Sequence, residues 1–311
     1  MLKLINFEIK KTFSGKISYI ILILIAVLIG LYSLIFEKIS YEKIYDYSVG
    51  LLAETKNAQN GIDLNSTSDT IEIQNLIDAS VNKIAFCIEN NIPVNSSNVW
   101  FFMEKINMLY LVIIIGVLLL LSRLYYIELR DETLTRLFFS KCGFLKILIS
   151  KIIATFIISI GSVFFIYFCS FMLGLLRFGF NGNVLKTVVE LNGQFEIVNI
   201  IRIIIYQILV ILLQINLYAS FFVLLITITK NDKFSLILIA LWVFFNNSIS
   251  LMLNNKCLEK LLPFKALSFG YKELLEKETS FMVVMLVFTI MFYILSIILN
   301  YCFGNKMEKY L

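Results

Sequence analysis

Histidine is missing from all 311 residues, and that single absence removes a broad range of chemistry. No imidazole is present to ligate haem, zinc or copper, to activate a serine or cysteine nucleophile, or to relay protons. A G-x-x-x-x-G-K-[ST] loop is also missing, so the chain cannot cradle ATP phosphates by a P-loop. The five cysteines, Cys87, Cys142, Cys169, Cys257 and Cys302, lack any metal-ligand spacing. No basic run is interleaved with aromatics as on a nucleic-acid-binding surface. Proline occurs only twice, and charged residues make up 16% of the chain against about 25% in soluble domains. The expectation is a chain with no catalytic residue, metal or cofactor of its own and no nucleic-acid partner.

What is abundant is apolar. Hydrophobic residues form 59% of the chain, 28 of them phenylalanine. The mean hydropathy is +0.86. So much apolar surface exceeds what one soluble core can hide, which predicts an all-α integral membrane protein with the bilayer as its main solvent. A spanning helix needs about 20 mainly apolar residues. Six segments qualify: 17–36, 106–126, 152–173, 201–229, 236–253 and 281–303. None carries Asp, Glu or Lys in its interior, and the fifth is interrupted by Asn246, Asn247, Ser248 and Ser250. The first is longer than a signal-peptide core and lacks a small-residue cleavage site after it, so it reads as a retained anchor.

Charge sets the direction of insertion. Residues 1–16, the 127–151 loop with Arg123, the loop after the fourth span and the 304–311 tail together hold 14 basic and 6 acidic residues. The loop 37–105 holds 5 basic and 10 acidic. Both termini are therefore expected in the cytoplasm, with 37–105 outside. The loop 254–280 dissents mildly, with 5 lysines and 4 glutamates. Cys87 and Cys257 both fall outside in this topology, as two free thiols or as one disulfide. The excess of isoleucine over alanine is associated with AT-rich bacterial genomes.

Outside the spans, residues 1–16 place Leu2, Ile5, Ile9 and Phe13 on one helical stripe with lysines largely elsewhere. That predicts an amphipathic helix in the cytoplasmic interface; a short solvated leader is the alternative. In the first external loop, Ile73, Ile77, Val81, Ile84 and Ile88 recur at helical spacing. Asp69 to Glu72 resembles a capping box, and Asn90, Asn91 and Pro93 supply a stop. This predicts a small helical cap, serving substrate exit, partner binding or only as a lid. A second external loop, 174–200, follows the third span. The third, 254–280, mixes apolar residues with Pro263 and Gly270 and suggests short helices at the outer leaflet.

The most informative cytoplasmic segment is 127–151. Leu134, Leu137, Phe138 and Leu145 offer an apolar side, while Glu128, Asp131 and Glu132 open it and bases close it, matching a helix dipole. Such a helix either docks a soluble partner or rests on headgroups. Here the chain resembles the permease subunits of ABC exporters of the type-2 class. Glu128, Thr133-Leu134, the hydrophobic Leu137-Phe138-Phe139, Lys146 and Lys151 follow that family's pattern. Glu132 stands where a glycine is usual and Lys141 about where a proline is. The opening Leu4-Ile5-Asn6-Phe7-Glu8-Ile9-Lys10-Lys11 is similar too, as are the six-span layout and the large first external loop.

The resemblance implies a multi-pass protein of the bacterial cytoplasmic membrane that pairs with a second permease copy or homologue and with two ATP-binding cassette subunits. ATP and Mg would be bound by those partners, not by this chain. Glu128, Arg130, Asp131, Glu132, Thr133, Leu134, Arg136, Leu137 and Lys141 would form the coupling segment that seats on the ATPase. Peptides, antibiotics or lipophilic compounds are the cargo classes that the analogy suggests. For a translocation path the sequence offers Asn246, Asn247 and Gln214, amides that would otherwise form interhelical hydrogen bonds. Two other classes stay open: an ion-coupled secondary transporter, and a structural or receptor subunit. The first is weakened because the polar groups of the span interiors are amides and hydroxyls, with Arg123 and Arg202 only at span ends. An enzyme is disfavoured, since paired acids in or near a span are missing as well as histidine.

Overall fold

The computed structural model of the chain describes residues 1–36, 49–50, 53–54, 68–92, 98–130, 144–180, 185–191, 193–252, 274–276 and 280–308. In chain order the principal elements are α1 (Leu2–Phe13), α2 (Lys16–Ile35), α3 (Ser68–Glu89), α4 (Val99–Lys105), a 3-10 turn (Ile106–Leu109) and α5 (Tyr110–Arg130). They continue with α6 (Phe144–Phe178), β1 (Lys186–Leu191), β2 (Gln194–Asn199), α7 (Ile200–Thr229), α8 (Asp232–Met252) and α9 (Ser280–Glu308).

Four helical stretches are long and apolar enough to cross a membrane: Lys16–Ile35, Leu145–Phe178, Ile200–Thr229 and Met282–Tyr301. They overlap four of the six expected spans. In the expected second span the apolar helix, Val112–Tyr126, is shorter than these. Residues 236–252 of the expected fifth fall on α8. The 34 residues of Leu145–Phe178 rise roughly 50 Å at 1.5 Å each, well beyond a hydrocarbon core of about 30 Å. This helix begins at Phe144 and ends at Phe178, so the expected span 152–173 is only its middle.

The chain forms two compact units. The first comprises 1–29, 108–169 and 207–311. At its centre is α5, on which both α1 and α8 pack. Ile113, Ile114, Val117, Leu120, Leu121 and Leu124 of α5 are all buried and share one broad face, while Val112 and Leu119 on the other side are exposed. Phe221 of α7 gathers α8 and α9, lying 4.9 Å from Trp242 and 5.3 Å from Phe292, ring centre to ring centre. Polar contacts also tie α7 to α9. Asn300 donates to the Thr227 hydroxyl at 3.0 Å, and that hydroxyl lies 3.1 Å from the hydroxyl of Ser296. By contrast α9 leaves Val283, Leu286, Val287, Ile290, Ile294 and Ile298 exposed, as a lipid-facing helix requires.

The second unit comprises 30–107 and 170–206. To the expected helices it adds, within the 174–200 loop, an antiparallel hairpin that pairs β1 with β2, Val188 opposite Ile197 and Leu191 opposite Gln194. Gly193 sits at the turn with φ +75°, a conformation that glycine adopts without a Cβ penalty. A lone two-stranded hairpin is marginal in water. This one is supported by a small core in which Val188 joins Cys87 and Ile92, with Phe86 and Phe195 against them. The helix α3 ends where the asparagines predict. Asn91 takes φ 54°, Ile92 N–H donates to the Cys87 carbonyl at 2.8 Å, and Asn91 N–H donates to Ile88 at 3.1 Å. This is a Schellman closure with its hydrophobic contact, Ile92 on Cys87. Cys87 is a free, buried thiol, and Cys257 lies outside the described residues.

Candidate functional site

The candidate docking segment is approached from both sides by helix. α5 runs on past Tyr126 to Arg130, carrying Glu128 and Arg130 in its last turn. On the far side α6 begins at Phe144, before Lys146 and Lys151. Asp131, Glu132, Thr133, Leu134, Arg136, Leu137 and Lys141 lie outside the described residues. Asn246 and Asn247 fall on the backbone of α8, and their side chains are likewise outside the description. Gln214 is described: it is buried in α7, on the same face as buried Gln207, seven residues earlier. The structure does not bring Gln214 into a described contact with the other candidates.

Beside this segment the structure assembles a charged cluster that periodicity missed. In α1 the buried face is Ile5, Glu8 and Thr12, not the stripe Leu2–Ile5–Ile9–Phe13. Leu2 is 83% exposed and Phe7 63%. The Glu8 carboxylate is therefore turned inward. Its Oε2 accepts from Lys11 Nζ at 3.2 Å, and Lys151 Nζ of α6 lies 3.4 Å from Oε1. Lys151 is only 2% exposed and is the largest of the fully buried side chains described. Its ammonium also stands 5.6 Å from the ring centre of Tyr125 on α5, a cation–π contact.

Local structure explains why α1 presents this face. Its C-terminal carbonyls are satisfied by neighbours: Ser14 Oγ donates to Lys11 at 2.8 Å, and the Ser18 hydroxyl donates to Thr12. Lys10 and Lys11 in the last turn complement the negative end of the helix dipole. The chain then turns through Ser14 and Gly15 into α2. Arg123 of α5 lies so close to Gly15 that any Cβ there would collide with Nη2. The Arg123 guanidinium also stands 5.6 Å from the Tyr126 ring centre.

From Lys151 a polar column continues along α6, with Thr155, Ser159 and Ser162 all buried on one face. Thr155 donates back to the Lys151 carbonyl and Ser159 to that of Thr155. Small hydroxyl residues of this kind let helices approach closely in a membrane. The signal for the cluster was present in the sequence as the spacing Ile5, Glu8, Thr12, which puts the acid on a helical face. No local rule says that Lys151, far along the chain, neutralises it.

Among the described residues no group of His, Cys, Asp and Glu is placed to hold a metal ion. No protein-family model, curated protein or solved structure matches the chain.

Proposed function

We propose that this chain is the membrane-spanning permease of an ATP-driven exporter, with α5 and α8 completing six spans and both termini in the cytoplasm. The segment 127–151 then docks on a separate ATPase subunit, two of which serve the complex, and a second permease copy or homologue completes the path for a peptide, an antibiotic or a lipophilic compound. The observation that supports the reading is the length of the two helices that flank this segment. Both continue past their expected apolar stretches, α5 to Arg130 and α6 from Phe144. The lack of a P-loop fits a motor on another polypeptide. Closure of the paired ATPases would move the two segments together and shift the attached helices as rigid bodies.

Co-purification from native membranes tests it. The wild-type chain is expected to retain a soluble ATPase. The double variant E132A/R136A should lose it while still inserting in the membrane. A chain that purifies alone and transports down an ion gradient in ATP-free liposomes would overturn the reading.

A further inference from the structure

Glu8 occupies a position where a helix merely resting on headgroups would carry an apolar side chain. A buried carboxylate is costly unless it is paired and hydrogen-bonded. It is paired here with Lys11 of its own helix and with Lys151 of α6. Meanwhile α1 packs along α5, and Tyr125 of α5 lies against the Lys151 ammonium. So α1 grips the helix that leads into residues 131–143 and is charge-locked to the helix that leads out. Its opposite face leaves Phe7 exposed beside Lys3 and Lys10, the composition of a face that sits in a lipid interface.

The geometry assigns to α1 the role of a charge-locked brace: packed along α5 and paired through Glu8 with Lys151, it holds α5 and α6 in one register. Apolar packing alone is non-directional, so it would tolerate sliding of α1. Lys11, on the same helix, stays beside Glu8 in any register, whereas Lys151 can meet it in one only, and register is the best-attested use of such pairs. Glu8 and Lys151 are positioning residues: they act through the register of α1 against α5 and α6. The brace rests on contacts within one compact unit, whereas its consequence for ATPase docking rests on the permease reading above.

Cys142, inside the segment, is a native reporter. Its alkylation rate is measured in membranes of the full-length protein by peptide mass spectrometry, which separates it from the other four cysteines. E8Q and K151M are each expected to speed labelling several-fold. The double variant should be no faster than the faster single variant, because both remove one interaction. The charge swap E8K/K151E should return the rate toward wild type, and E8D should fall between wild type and E8Q, which keeps the test usable if E8Q folds poorly. Unchanged rates, multiplying effects, or a swap no better than the single variants would overturn the brace. ATPase retention is scored on the same variants. If the wild type holds no ATPase, the permease reading fails, while the Cys142 rates still decide the brace.

Discussion

At the scale of single residues, two acids behave in opposite ways. Glu8 is paired with two lysines, at 3.2 and 3.4 Å, so removing its carboxylate takes the shared anion away from two ammonium groups in a largely dry site. Losses of about 3–5 kcal/mol accompany such a step in general. Glu104, in α4, is held differently. Burial pushes its carboxyl above the ordinary glutamate value, and Lys105 and Lys83 only partly oppose this. A raised folded-state value means that the fold favours the protonated acid. The stabilisation is fully present below the unfolded-state value and is lost as pH rises through the folded one. Acidifying from neutral should therefore strengthen this unit. Glu104→Gln, which mimics the neutral form, should stabilise it at neutral pH and flatten that dependence. Hydrogen exchange of the 99–105 amides, corrected for intrinsic rates across pH, checks both outcomes. The Cys87 thiol is likewise raised by burial, with Lys83 opposing, which leaves it a packing residue of the hairpin core and not a nucleophile.

At the scale of elements, local signals were read well where a helix has to stop and poorly where a hairpin begins. Asn90, Asn91 and Pro93 announced the end of α3, and Asn91 takes the left-handed conformation there. Asn192-Gly193 between two runs rich in β-branched residues is an equally strong hairpin signal, yet it sits between two long apolar helices that dominate the reading. Replacing Gly193 by valine should cost about 1–2 kcal/mol, the ordinary penalty for a side chain in the left-handed region. Faster exchange of the Val188–Leu191 amides would show it, and an unchanged rate would sink the assignment. For α1, periodicity marked the helix but not the face that packs on the protein. Glu8 faces inward there, where Lys151 meets it.

At the scale of the whole molecule, the bilayer explains what would otherwise be a misfolded surface. Helices α2 and α9 expose apolar side chains along their lengths, and the four long apolar helices account for the +0.86 hydropathy. The chain should therefore stay in the membrane pellet through alkaline carbonate extraction. Release into the supernatant would contradict the placement of these helices in lipid.

That the chain is built of long apolar helices was legible in its composition, as was the division of charge between its loops. Both depend on windows of about 20 residues, which any folded arrangement must respect. What needed the fold was the packing of α1 and α8 on α5, the hairpin resting on the end of α3, and the meeting of Glu8 with Lys151. The physical reason is range. Periodicity and capping act between near neighbours, whereas a buried charge is stable only when a partner from elsewhere in the chain arrives to neutralise it.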